Sequence, residues 1–279
     1  MTDMAILASY AHPDDEQGVT GTMARCAAKG IRTGLICATR GEMGEIADPA
    51  LATPETLGDV REQELRDAAA LADIQRVWFL DYRDSGMAGT EGNEDPAAFI
   101  NADPKEAVRR IVSIIREWKP QVIVTFDPSG GYGHPDHLAI NRWTSDAFHS
   151  AGDPAQYPEA GPAWTTARLF YSSIPRSSLR RMAELMGEYR STSAFRDIDI
   201  EKMGMPDEMI TNTVDVGDLV DMKLKSLRSH ATQMDPNSPF AKMPAEMGRA
   251  WRSKETFALA AGTPLPTAAD PADLFAGLS

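Results

Sequence analysis

Short apolar runs and amphipathic stretches alternate along the first half of the chain. Met4 to Ser9 is apolar throughout and has the length of a buried strand. Gln17 to Lys29 has helical spacing, and Gly30 is placed to end that helix. Thr33 to Ala38 predicts a second buried strand. Thr56 to Ala72, with Arg61, Leu65, Ala68 and Leu71 at helical intervals, predicts a second helix, and Val77 to Leu80 a third strand. Asp103-Pro104-Lys105-Glu106 is a helix start: a capping Asp, Pro in the first turn and Glu three residues after the cap. That helix runs to about Trp118 and is closed by Pro120. Val122 to Phe126 is a fourth strand, followed by the turn Gly130-Gly131-Tyr132-Gly133 and a helical stretch from His137 to Ser150.

Strands that alternate with helices predict a parallel sheet with right-handed crossovers. The expected fold is α/β, with a Rossmann-like, mostly parallel sheet flanked by helices and a smaller C-terminal α/β extension. After residue 150 the pattern loosens. Leu169 to Ser172 and Thr211 to Val216 read as strands, Asp218 to Ala231 as a helix, and the Pro- and Ala-rich tail from about Gly262 as a surface wrap. Residues 1–150 are thus expected to form the catalytic core. Residues 151–279 are expected to pack on it as part of one structural unit and to complete the substrate pocket.

At 279 residues, 42% hydrophobic and 25% charged, the composition is that of a globular protein. A formal net charge of −13 argues against nucleic acid or an anionic membrane as the main partner and leaves a small-molecule substrate open. Cys26 and Cys37 form no Cys-x-x-Cys pair and are expected to be buried thiols. With no basic leader and no long apolar stretch, a cytoplasmic setting is expected. The pattern does not specify an oligomeric state.

Two segments carry the candidate chemistry. Ala11-His12-Pro13-Asp14-Asp15-Glu16 follows the first predicted strand, and His134-Pro135-Asp136-His137 follows the fourth. Ligands of open α/β sheets sit beyond the carboxyl ends of the strands, so both segments fall where one site can form. His12 and Asp15, three apart around a tight turn, can face one point while Asp14 points elsewhere. That gives a ligand pair and a free carboxylate able to take a proton from water. Of His134 and His137, one can be a third ligand while the other stays free as an acid or hydrogen-bond donor, oriented by Asp136. A His-Asp-His set leaves one position open, as catalytic zinc sites do. The same donors also suit Fe2+, Co2+ or Mn2+. A calcium loop at Asp14-Asp15-Glu16 fits poorly, because calcium prefers oxygen ligands alone.

The strings AHPDDE and GGYGHPDH resemble those of the LmbE-like (PIG-L) zinc-dependent de-N-acetylase family. The resemblance is close over residues 4 to 150 and looser to about residue 235. Within the family, Tyr82 to Thr90 (YRDSGMAGT) and Ser229 to Gln233 (SHATQ) look most like the mycothiol-pathway members, an N-acetylglucosaminyl-inositol deacetylase and a mycothiol S-conjugate amidase. The resemblance implies that His12, Asp15 and His137 bind one Zn2+ and that Asp14 is the general base. It implies that His134, oriented by Asp136, is the general acid or stabilises the oxyanion, and that Tyr132 lends its hydroxyl to the tetrahedral intermediate. It further implies that Arg61 and Asp84 contact the sugar, which needs charged and bidentate partners.

Met87 reads as pocket wall or packing. His230 reads as reaching substrate or supporting the site from a helix end. Glu42 and Glu45 lie on a loop facing the same crevice, and His149 reads as a surface histidine. The expected activity is removal of acetyl from an N-acetylglucosamine-containing small molecule. The alternatives are amidase action on a thiol conjugate, an antibiotic-pathway deacetylation, and a sugar-binding protein with a vestigial site.

Overall fold

The structure, a computed structural model, describes residues 4–191, 203–238 and 241–278, with side chains described only to residue 185 in the first of these. Seven strands form one sheet: β1 (Ala5–Tyr10), β2 (Arg32–Cys37), β3 (Arg76–Phe79), β4 (Val122–Phe126), β5 (Arg168–Ser172), β6 (Asn212–Asp215) and β7 (Lys254–Gly262). Their order is β3-β2-β1-β4-β5-β7-β6. The first five are parallel, while β7 runs antiparallel between β5 and β6. The helices are α1 (Thr20–Ala28), α2 (Leu57–Leu71), α3 (Pro104–Trp118), the one-turn α4 (Gly130–Gly133), α5 (Pro135–Ala151), α6 (Arg176–Ser191), α7 (Val220–Ser229) and α8 (Ala245–Arg252). The α/β, mostly parallel architecture read from the sequence is the one observed.

The continuous apolar run of β1 has a direct reason. Side chains alternate across a strand, and both faces of this sheet are covered. Ala5 and Leu7 join a core with α3 and α5 on one face. Ile6, Ala8 and Tyr10 join a second core on the other face, with Met23 and Cys26 of α1 and Leu65 and Ala69 of α2. Cys26 and Cys37 are both buried and unpaired. Asp103 caps α3 as its sequence suggests, accepting hydrogen bonds from the amides of Lys105 (2.8 Å) and Glu106 (3.0 Å). Lys119 at the end of α3 is left-handed (φ 54°), so the helix stops before Pro120.

Three features of the second half were not legible. The nine-residue β7 is rich in Ala and ends in Gly, residues with weak strand preference, and α6 and α8 went unread. The tail is not a loose wrap. The buried Arg168 guanidinium donates to the carbonyls of Thr263, Pro264, Leu274 and Ala276, and Leu274 and Phe275 are buried in the second core. Glu255 of β7 accepts hydrogen bonds from the amides of Gly21 (2.8 Å) and Thr22 (2.7 Å) at the start of α1 and is ion-paired with Lys223 of α7.

The chain goes outward from β1 through β2 to β3, then returns through α3 to β4 on the other side of β1. The strand order therefore reverses between β1 and β4, where open α/β sheets leave a crevice. The two polar motifs leave the sheet from the ends of these two strands. Among the described residues, no helix is long and apolar enough to cross a membrane.

Candidate active site

Register brings the motifs together. Ser9 of β1 pairs with Thr125 of β4, so Ala11-His12 and the turn after Phe126 leave the sheet side by side. Gly130 sits at φ +63°, and a Cβ there would lie 2.9 Å from the Cβ of His137. Glycine is thus required both by the backbone angle and by the close approach. His134 caps α5 by accepting from the amide of Asp136 at Nδ1 (3.2 Å), with Pro135 in the first turn.

Three donor groups converge. His12 Nδ1 and His137 Nε2 are 3.2 Å apart, Asp15 Oδ1 is 3.2 Å from His137 Nε2, and Asp15 Oδ2 is 3.5 Å from His12 Nδ1. Each is oriented by a further bond. His137 Nδ1 donates to the Gly130 carbonyl (3.0 Å), which leaves its Nε2 lone pair facing the meeting point. His137 is also stacked on Phe126, with centroids 4.0 Å apart. His12 Nε2 lies 3.1 Å from Asp136 Oδ2, and a proton held there leaves the His12 Nδ1 lone pair aimed at the same point. Asp15 Oδ2 accepts the amides of Ala11 (3.2 Å) and His12 (2.7 Å).

Two imidazole lone pairs and a carboxylate held this close call for a cation between them. Donors around a tetrahedral ion with bonds of about 2.0–2.1 Å lie roughly 3.3 Å apart, so the observed spacings fit a small divalent metal. His12, His134 and His137 also have donor atoms within 4.8 Å of one another, as do His12, Asp84, His134 and Asp136. The Asp15 set fits better, because Asp15 Oδ1 takes no backbone or hydroxyl donor among the described residues, whereas His134 Nδ1 accepts the Asp136 amide and both oxygens of Asp84 and of Asp136 are already taken by such donors.

The electrostatics repeat this demand for positive charge. Burial works against the Asp15 carboxylate, yet the His137 and His12 imidazoles hold it well below the usual range. Burial likewise opposes charge on His12, and Asp136, Asp15 and Asp84 overcome it and push its pKa up. His134 is pulled down to about 4 by burial and by the neighbouring His12 and His137. It is therefore neutral near pH 7, with Nδ1 as acceptor and Nε2–H free to donate. Asp14 is raised to about 7 by burial and by the charge of Asp15. Its carboxylate has no hydrogen-bond partner among the described residues.

The structure also corrects the sequence reading. Asp136 holds His134 through its backbone amide, not through its carboxylate as expected. At the first turn of α5 its carboxylate is buried against Ser85, accepting the Ser85 amide (2.9 Å) and hydroxyl, and its remaining contact is His12. His230 is not on the substrate wall: it is buried, with Nε2 2.8 Å from Glu16 Oε1. Arg61 is buried beneath the 41–45 loop, donating to the carbonyls of Gly41 (2.7 Å) and Glu45 (3.0 Å), because those glycine-rich turns leave carbonyls that need a donor.

Asp84 is beside the centre, 3.5 Å from His12 Nε2, but its oxygens also accept the amides of Gly86 and Met43. Glu42 accepts the amides of Arg40 and Asp84, while Glu45 and His149 are exposed. Met87 and Tyr132 stand at the surface, 49% and 52% exposed, with the Tyr132 ring 5.0 Å from that of His137. The supports missed by sequence reasoning are Ser85, Phe126 and Glu16. Of these only Glu16 carried a signal, since a buried acid before an apolar helix must find a partner.

A groove of about 580 Å3 opens from Asp15 and Tyr132 and runs past Ser173 toward Trp251 and Arg252. Its far wall belongs to the second half of the chain.

The family model described as PIG-L, GlcNAc-PI de-N-acetylase, matches residues 7–148. The chain is 38% identical to a 1D-myo-inositol 2-acetamido-2-deoxy-alpha-D-glucopyranoside deacetylase of Geodermatophilus obscurus, covering 98% of this chain and 97% of the relative. It is 39% identical to a protein of the same name from Thermomonospora curvata, covering 99% and 98%. Among solved structures, an N,N'-diacetylchitobiose deacetylase from Pyrococcus horikoshii superposes with a TM-score of 0.62 at 19% identity, over 92% of this chain and 83% of that one. A conserved protein from Thermus thermophilus superposes with a TM-score of 0.61 at 23% identity, over 97% and 98%. These two likenesses concern the fold. The motif residues gathered at the sheet crevice, the family match across them and the near full-length relatives agree that this chain belongs to the PIG-L (GlcNAc-PI de-N-acetylase) family.

Proposed function

We propose that the protein is a zinc-dependent amide hydrolase that removes acetyl from an N-acetylglucosamine-containing small molecule, with N-acetylglucosaminyl-inositol as substrate. The observation that carries this is the meeting of His12, Asp15 and His137 donors at 3.2–3.5 Å, next in sequence to an Asp14 carboxylate with no hydrogen-bond partner among the described residues. The names of the relatives support the sugar. The chemistry of two imidazoles and one carboxylate with an open position supports zinc.

His12, Asp15 and His137 hold the metal in this reading. Zinc bound there supplies Lewis acidity, polarising the amide carbonyl and acidifying water. Asp14 accepts the proton of the attacking water and returns it to the departing amine. Burial and Asp15 bring its pKa close to neutrality, where one carboxyl serves well in both directions. His134 donates from Nε2–H to the oxyanion as a neutral imidazole. Tyr132, half-exposed with its hydroxyl pKa held above the ordinary value by partial desolvation and by the Asp15 charge, donates to the same oxygen. Asp84 and Met87 border the sugar, and Arg61 acts on it through the 41–45 loop. Residues 151–279 complete the pocket through the groove wall at Trp251 and Arg252. The buried, unpaired thiols support a cytoplasmic setting.

A panel of N-acyl amino sugars and mycothiol-like thiol conjugates, assayed with metal-reconstituted protein, tests the reading. Acetate release from N-acetylglucosaminyl-inositol that stops on metal removal is expected. Preference for a thiol conjugate assigns amidase action instead, and binding without turnover of any substrate sinks the hydrolase reading. Asp136→Asn is expected to weaken metal binding by about 10–100-fold, because the carboxylate that orients His12 is lost. Competition with a chelator measures it, and unchanged affinity removes Asp136 from the site.

A further inference from the structure

Glu16 has no part in the mechanism above, yet it is tied to the residue that does most of it. Glu16 and His230 are each 1% exposed, so neither can touch a sugar in the groove. His230 Nε2 meets Glu16 Oε1 at 2.8 Å, and Gln17 Nε2 donates to the same oxygen at 2.7 Å. The other oxygen, Oε2, accepts the backbone amide of Asp14 at 3.0 Å. The carbonyl of that same peptide unit is held as well, Gln233 Nε2 donating to the Pro13 oxygen at 2.9 Å. The turn carrying His230 and Gln233 is itself fixed by Thr232, whose amide (2.8 Å) and hydroxyl (2.6 Å) donate to the buried Glu64. The Pro13–Asp14 peptide is thus held at its N–H, through Glu16 and His230, and at its C=O, through Gln233, by one short segment from the second half of the chain.

The grip has a conformational purpose. Asp14 has φ 101° and ψ −22°, a left-handed backbone that a residue with a Cβ adopts only when its surroundings impose it. This twist separates the two adjacent aspartates, sending Asp15 to the metal position and leaving Asp14 free. A buried ion pair is a weak source of stability, because desolvation offsets its attraction. Fixing one conformation is the use that remains for it. We infer that Glu16, held by His230, is a positioning residue for the hydrolysis: it locks the Asp14 backbone in the left-handed state that aims the base at the attacking water. This rests on the reading of Asp14 as the base.

The test compares full-length, metal-loaded Glu16→Ala, His230→Ala and Glu16→Gln with the native protein for kcat, KM and metal per chain. Glu16→Ala is expected to lose about 100-fold in kcat, the scale of a misplacement near 1 Å, with KM within about twofold and one metal retained. His230→Ala loses kcat in the same way. Glu16→Gln returns to within about tenfold of native, since its amide oxygen can still accept from the Asp14 amide and its amide nitrogen can donate to a neutral His230, while Gln17 gives up its bond to Glu16 and keeps the one to Ser226. Unchanged kcat in soluble, metal-replete Glu16→Ala overturns the inference. So does a rise in KM alone, which makes His230 a substrate contact, or a loss of metal in step with activity. If Glu16→Ala does not fold, His230→Ala decides by the same measurements. Native protein that releases no acetate sinks the deacetylase reading instead. Hydrogen exchange then tests the lock: the Asp14 amide should be protected in native protein and faster in both alanine variants, and equal rates overturn it.

Discussion

Asp14→Asn is expected to keep its metal and its KM and to lose between about a hundredfold and ten-thousandfold in kcat, the range that general base catalysis supplies. The asparagine preserves the shape of a side chain that accepts from no donor among the described residues, so little else should change. Equal kcat in the two proteins would falsify the assignment of the base. In the native protein activity should fall as pH drops and Asp14 takes up a proton, with an acid limb at or below about 7 because a bound cation favours the carboxylate. That limb should be missing from the residual activity of the variant.

Stability should move the other way. Folding raises the pKa of Asp14 from an ordinary 3.8 to about 7 in the metal-free protein, so between these values the folded state holds the proton more tightly than the unfolded state. Stability is therefore lost as pH rises through that window. Metal-free Asp14→Asn should melt above the metal-free native protein at pH 8. A lower Tm would show that the carboxylate is not held at an electrostatic cost.

The second large effect is far from the chemistry. Arg116→Met is expected to lower stability by about 3–5 kcal/mol, because several carbonyls lose their donor at about 1–3 kcal/mol for each one left buried and unsatisfied, and Tm by about 10 °C. The Arg116 guanidinium is buried on α3 with no carboxylate partner among the described residues. It donates to six carbonyls instead: Ala151 (3.1 Å), Tyr157 (2.6 Å), Gly161 (3.1 Å), Ser150 (3.3 Å), Asp153 (2.9 Å) and Gln156 (2.8 Å). Ser150 and Ala151 end α5, where unpaired carbonyls and the helix dipole favour a cation. A methionine fills the space but leaves those carbonyls dry and unsatisfied. Denaturant unfolding measures the loss, and a change under 1 kcal/mol would mean that the loop finds other donors.

The first half of this fold was legible because its signals are local. The apolar runs of β1 and β4, the Asp103 cap and the proline after α3 each announce themselves within a few residues. His12, Asp15 and His137 were legible for a related reason: strand ends fix where a loop starts, and short spacing fixes which side chains share a direction. What failed was long-range pairing. Nothing near Asp136 says that its carboxylate will be filled by Ser85 and His12, and nothing near His230 announces Glu16. The Arg61 side chain was read as facing a sugar when the carbonyls of Gly41 and Glu45 had first claim on it. β7 was missed because its alanines carry little strand preference, and its place in the sheet is set by β5 and β6.

The groove departs from the centre of the sheet and ends at its margin. Its near end touches Asp15, held by β1 and its neighbours, while Trp251, Arg252, Lys254 and Thr256 at the far end belong to α8 and the antiparallel β7. If that groove holds the substrate as proposed, a sequence drifting under selection can rewrite its outer strands, lengthening a turn or exchanging a tryptophan, and acquire a different acylated partner while the hydrolytic machinery is inherited intact.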